Sequence, residues 1–158
     1  MNKNIFIVAT LMLAIVIGSC GGDSKPTSSS NPPSLVKSDP PSYDPTRGEG
    51  KYDETNVVAG PLDKAMAAKG ETIAATKCNS CHKHTEEKLV GPGWKGVTER
   101  RTLHWIMNFI TNPDPMIDKD PEVQAQLEIC LVRMPNQNLS EDEARSIVEF
   151  MRKNDGVN

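Results

Sequence analysis

Aromatic residues are scarce in this chain of 158 residues: Trp 2, Tyr 2 and Phe 3, or 4%. A domain so poor in rings has little with which to fill the centre of its own core. No segment alternates apolar and polar residues cleanly, and no two-residue hairpin turn appears, so a sheet-based fold is excluded. No apolar run approaches the ~20 residues of a comfortable membrane span. Net charge is only −3, with no basic block of the kind that holds nucleic acid. There is no internal repeat. Histidines number 3 and cysteines 4. Their positions carry most of the information.

Cys78-Asn79-Ser80-Cys81-His82 is the most informative segment. Two cysteines two residues apart, followed at once by histidine, form the attachment signature of c-type haem. On one turn of chain both thiols point the same way, and each can add to a haem vinyl group. The adjacent imidazole then meets the iron as its first axial ligand. A structural zinc site would normally need a second ligand pair, but only His84 is near and Cys130 is the sole cysteine downstream. A redox dithiol does not need the histidine, and no strand-rich pattern surrounds the motif.

Residues 1–19 read as a lipoprotein signal peptide. Lys3 supplies the positive start, Ile5 to Ile17 the apolar core, and Gly18-Ser19 the small residues before Cys20. By resemblance to the bacterial lipoprotein box, Cys20 is the lipidated residue, which places the protein in the periplasm on a lipid anchor. An ordinary signal peptide or an uncleaved anchor is the plainer alternative. Export agrees with covalent haem, which is attached outside the cytoplasm. Residues 20–57 are rich in Ser, Pro, Gly and Asp and read as a flexible linker. Residues 58–158 remain as one small domain. Within it Cys130 reads as a small buried hydrophobe in an apolar helical stretch.

Helical periodicity runs through that domain. Leu62, Met66, Gly70, Ile73, Ala74 and Lys77 mark a first helix leading into the haem motif. Leu103, Ile106, Met107 and Ile110 mark a second, which stops at Pro113 and Pro115. Asp120-Pro121 opens a third with a face of Val123, Leu127, Cys130 and Leu131. Ser140 and Glu143 form a capping box for the last, whose face is Ala144, Ile147, Val148 and Met151. Asn154-Asp155-Gly156 ends it. The expected fold is all-α, with about four helices.

With these features the chain resembles the class I c-type cytochromes, single-haem electron carriers, from about Leu62 to Lys153. Gly70 stands eight residues before Cys78, where that family packs its first helix against its last, here through Ile147 and Phe150. The aromatic residue common four places after the glycine is replaced by Ala74. Gly91-Pro92 resembles the loop whose proline carbonyl accepts a hydrogen bond from the haem histidine. The residues alone leave Met116, Met134 and His104 open as second axial ligand, while Met66, Met107 and Met151 fall on helix faces. The resemblance of Met134-Pro135-Asn136 to the family's ligand loop implies Met134. It also implies a hydrogen bond from Trp105 to a haem propionate. Lys77, Lys83, Lys88 and Lys95 suggest a positive ring near the haem edge.

The function implied is one-electron transfer without a small-molecule substrate, so the chain is not expected to be an enzyme. Its partners would be redox proteins: a quinol-oxidising complex as donor and a terminal reductase or oxidase as acceptor. Gly91-Pro92-Gly93-Trp94-Lys95-Gly96 and the run from Glu128 to Pro135 resemble lipoprotein cytochromes that accompany nitrous-oxide reductase. Rival readings are a haem enzyme or gas sensor with a labile sixth ligand, and a fixed subunit of a larger redox complex.

Overall fold

The computed structural model describes residues 43–158, and every described regular element is helical. Helix α1 spans Lys64–Lys77, α2 Val97–Arg100, α3 Leu103–Thr111, α4 Pro113–Lys119, α5 Pro121–Cys130 and α6 Glu141–Asp155. None of the described helices is long and apolar enough to cross a membrane. Cys20 and the signal-peptide reading of residues 1–19 lie outside the described residues, as does most of the linker.

The frame is the crossing of α1 and α6. Helix α1 is capped by Asp63, whose carboxylate accepts the N–H groups of Ala65 and Met66. Its buried positions are Ala67, Gly70 and Ala74. The buried stripe is therefore one of small residues, and Met66 sits beside it rather than within it. Small side chains let two backbones approach closely. A Cβ placed on Gly70 would collide with the Ser146 carbonyl and stand 2.9 Å from the Ile147 nitrogen. Helix α6 is opened by the expected capping box, with Ser140 N–H donating to Glu143 at 2.8 Å. It buries Ala144, Ile147, Val148, Phe150 and Met151, and ends at Gly156 with φ 103°. Near its end, the Asp155 carboxylate accepts the backbone N–H groups of Gly96 and Thr98 at 2.6 and 2.8 Å. That carboxylate caps α2 from across the domain.

Two expectations about helices need correction. Pro113 does end α3, but it also opens α4, because proline is favoured at the first position of a helix. In α5 only Val123 is buried. Cys130 is half-buried, and Leu131 is the exposed C-cap. The apolar face expected over Leu127 to Leu131 therefore ends early.

The boundary between linker and domain is also corrected. Residues 43–57 are not free chain; they form a strap packed on the helical frame. Tyr52 and Val57 are buried in the core. Asn108, buried in α3, accepts the Tyr52 N–H at 2.9 Å and donates to the carbonyls of Tyr52 and Arg47 at 2.9 and 3.0 Å. Gly48 (φ 75°) lies where a Cβ would stand 2.5 Å from the Met116 methyl carbon. The Tyr43 hydroxyl donates to the Asp120 carboxylate at 2.6 Å. A polar, glycine-containing segment is held here by backbone hydrogen bonds to the buried Asn108 and by two isolated apolar anchors, Tyr52 and Val57, rather than by a periodic apolar face.

Candidate haem site

The chain leaves α1 through a tight turn. Cys81 and His82 both donate backbone N–H groups to the Cys78 carbonyl at 3.0 Å. This turn sets Cys78, Cys81 and His82 on the wall of one cavity of about 380 Å³. Trp94, Ile106, Phe109, Ile110 and Ile147 give that cavity an apolar lining, and Met134 also faces it.

His82 is fixed by its own loop. The Gly91 N–H donates back to the Cys81 carbonyl at 2.8 Å, which folds Gly91-Pro92 beneath the imidazole. Pro92 O then lies 2.8 Å from His82 Nδ1. A carbonyl can only accept, so Nδ1 carries the proton and Nε2 keeps its lone pair. Burial holds the imidazole below its ordinary pKa, outweighing the upward pull of the Pro92 hydrogen bond. A Cβ on Gly91 would strike the ring, with Nδ1 at 2.9 Å, so glycine is needed at this close approach. Trp94 packs 5.5 Å from the His82 ring, with His84 stacked on Trp94 at 5.7 Å. His84 bonds Asn79 at 2.8 Å and does not line the cavity.

Of the sulfur and imidazole candidates for a second ligand, only Met134 and Met151 line the cavity. Met107 and Met116 are fully buried elsewhere in the core, and His104 does not line it. Met151 is a buried residue of α6, as its helix-face position implied. Met134 lies in the extended segment between α5 and α6.

Trp105 lines the cavity, but its Nε1–H is already donated to the buried Asp120 carboxylate at 3.1 Å. The expected propionate donor is thus engaged within the protein. The Arg101 guanidinium stacks 4.2 Å from the Trp105 ring and pairs with Glu122 at 2.6 Å. Burial pushes the Asp120 carboxyl up. The hydrogen bonds from Tyr43, the Val123 N–H and Trp105, with Arg101 nearby, hold it below its ordinary range nonetheless. Asp120 and Tyr43 do not line the cavity; they stand behind Trp105, where Asp120 holds the indole and Tyr43 donates to Asp120, an arrangement the sequence reading lacks. The only sequence signal for Asp120 was its place as a helix cap. The lysine ring also loses ground: Lys77 pairs with Glu143 at 3.4 Å and Lys83 with Glu87 at 2.7 Å. Lys95 donates to Asn154 O at 2.7 Å.

The other readings of the motif fare poorly. Burial pushes the Cys78 thiol up to about 11, the opposite of what a reactive redox thiol needs. Among the described residues no cluster of three or more His, Cys, Asp or Glu side chains could hold a metal ion. Two thiols, an imidazole with a free lone pair and a thioether around one apolar cavity define a protein built for covalently attached haem.

Comparison with known proteins agrees. The family description Cytochrome c matches residues 67–155. A solved cytochrome c from Rhodothermus marinus is 35% identical, with a TM-score of 0.61. The match covers 63% of this chain and 86% of that one. An engineered form, Rma TDE, is 31% identical with a TM-score of 0.63, over 71% of this chain and 98% of that one. The same engineered protein has also been solved bound to a carbene intermediate, 1-ethoxy-1-oxopropan-2-ylidene. No curated protein matches. The chain belongs to the cytochrome c family, and it carries one covalent haem c through Cys78 and Cys81.

Proposed function

We propose that this cytochrome is a membrane-tethered, periplasmic one-electron carrier. One observation carries the reading. His82 and Met134 line the same cavity as Cys78 and Cys81, so an imidazole and a thioether would both be at hand to hold the iron of a haem attached there. The haem supplies a ferric–ferrous couple. The protein's part is to hold that couple still. Cys78 and Cys81 fix the ring covalently, and Pro92 keeps the His82 Nε2 lone pair aimed by accepting from Nδ1. Met134 would supply a thioether to the iron, which raises the reduction potential of a haem and would leave no open position for substrate. The apolar walls exclude water. Trp105 contributes a flat wall, held by Asp120.

Lipidation at Cys20 would tether the protein to the membrane. The donor would be a quinol-oxidising complex. The acceptor would be a terminal reductase, with nitrous-oxide reductase the named candidate, or an oxidase.

The test is spectroscopic. The ferric holoprotein should show the weak red charge-transfer band of sulfur ligation, and the ferrous form should not bind carbon monoxide. Met134→Ala should abolish the band and admit carbon monoxide, while Met151→Ala should do neither. Carbon monoxide binding by the unaltered protein would refute the carrier reading and favour a haem enzyme or sensor. Cys20→Ser should release haem-bearing protein from membranes.

A further inference from the structure

The residue before Met134 is tied to another helix. Arg133 Nε donates to the Asp114 carboxylate at 3.0 Å and Nη2 to the Asp118 carboxylate at 2.9 Å, with the Asp114 carbonyl at 3.4 Å. Asp114 and Asp118 stand one turn apart on the same face of α4. A guanidinium can reach both at once because its donors form a rigid fork, which an ammonium lacks. Helix α4 is itself fixed, since Pro113, Met116 and Ile117 are buried. Ile117 and Met134 line the same small cavity beside Cys81 and His82.

Little else holds the segment that carries Met134. Among the described residues, none from 132 to 139 takes part in a backbone–backbone hydrogen bond. The bonds from Gln137 Nε2 to the Pro135 carbonyl and from the Asn138 N–H to Asn136 are internal to the segment. Besides those of Arg133, one hydrogen bond joins it to the rest of the domain, from Lys77 Nζ to the Gln137 carbonyl, and at 3.4 Å it is long. Met134 and Leu139 pack against the core from half-buried positions. Arg133 therefore supplies the short polar contacts of a chain without regular structure, at the point next to Met134. A segment so lightly bonded opens at low cost.

We propose that Arg133 is a positioning residue for the axial ligand: its fork to Asp114 and Asp118 latches the Met134 segment to α4 and sets how readily Met134 leaves the iron. This rests on the electron-carrier reading, in which Met134 is the sixth ligand, and deepens it. The side chains of the latch are exposed, Arg133 by 44%, Asp114 by 63% and Asp118 by 64%. Salt therefore screens the latch, and the hold on Met134 weakens as salt rises.

The experiment titrates the ferric holoprotein with imidazole at about pH 8, where the added ligand is neutral, and follows loss of the sulfur charge-transfer band. In low salt Arg133→Gln should bind imidazole about fivefold more tightly than the parent, the upper range for an exposed pair. Asp114→Asn with Asp118→Asn should match it, and combining all three changes should add nothing further. Arg133→Lys should recover part of the difference. In ~1 M salt the parent affinity should rise to within about twofold of the Arg133→Gln value, which itself changes little. Lys153→Gln breaks an exposed ion pair with Glu71 between α6 and α1, and as the control it should change nothing. A purely structural role for Arg133 would lower the melting temperature and leave imidazole affinity as it was. That result would overturn the latch, as would a parent affinity that ignores salt, and the carrier reading would stand in both cases. A parent without the sulfur band, or a Met134→Ala variant that keeps it, would overturn both.

Discussion

Replacing Gly70 by alanine should weaken this domain, although alanine is the better helix former. Two effects oppose each other. In an open helix interior the substitution would gain about 1 kcal/mol from propensity. At Gly70 the new methyl would collide with the Ser146 carbonyl and stand 2.9 Å from the Ile147 nitrogen. Both obstacles are α6 backbone, so no side-chain rotation relieves them. Overpacking costs typically 1–3 kcal/mol, and a backbone obstacle places this site near ~3. The net loss is about 2 kcal/mol, or on the order of 10 °C in melting temperature for a domain of this size. The assay is thermal and guanidinium unfolding of the holoprotein, followed by helix circular dichroism and by the haem absorption band. Gly60→Ala is the control, because nothing lies within 4 Å of a Cβ there. It should stay within ~0.5 kcal/mol of the parent. If Gly70→Ala melts at or above the parent temperature, the α1–α6 crossing is not as close as described and the reasoning fails.

Three further outcomes follow from the strap and the site wall. Asn108→Leu leaves the buried Tyr52 N–H and two carbonyls without partners, at ~1–3 kcal/mol for each buried group; limited proteolysis should then cut between residues 43 and 57, and continued resistance would count against the strap. Asp120 has its pKa depressed in the fold, so its contribution to stability is present above the unfolded value of ~3.9 and is lost as pH falls through the lower folded value. Asp120→Asn keeps a good helix cap; the variant should be less stable at neutral pH and show a flatter loss on acidification, whereas parallel stability curves would refute this. Shortening the chain to begin at residue 58 should lower the melting temperature of the holoprotein, where a free linker would leave it unchanged.

What could be read from the residues depended on how local the physics was. The haem motif was legible because covalent attachment demands a fixed spacing within one turn. The capping box at Ser140 and the cap at Asp120 were legible for the same reason: donor and acceptor lie within three residues. Helix α1 was read less well, since Ala67, Gly70 and Ala74 bury themselves by being small and give no apolar stripe. Pro113 carried two meanings at once, the end of one helix and the start of the next. The strap was illegible because its partner, Asn108, lies 56 residues from Tyr52. Trp105 was expected as a propionate donor; it lines the cavity, but its N–H is taken up by Asp120. The carboxylate that takes its N–H is brought in by α4 and α5, and no spacing rule reports it.

The crossing at Gly70 also governs the order in which this protein can come into being. The helix that leads into Cys78 and Cys81 is held by α6, the last helix of the domain. Until α6 emerges, α1 has no partner for its small-residue face. Contacts that join the ends of a domain form late, because the intervening loop must close first. During synthesis the motif therefore travels on an open chain, with both thiols reachable, and the fold closes over them only once the last turn of α6 has been delivered. A chain stopped short of α6 would still present the motif for haem attachment, but would lack the frame to shelter it.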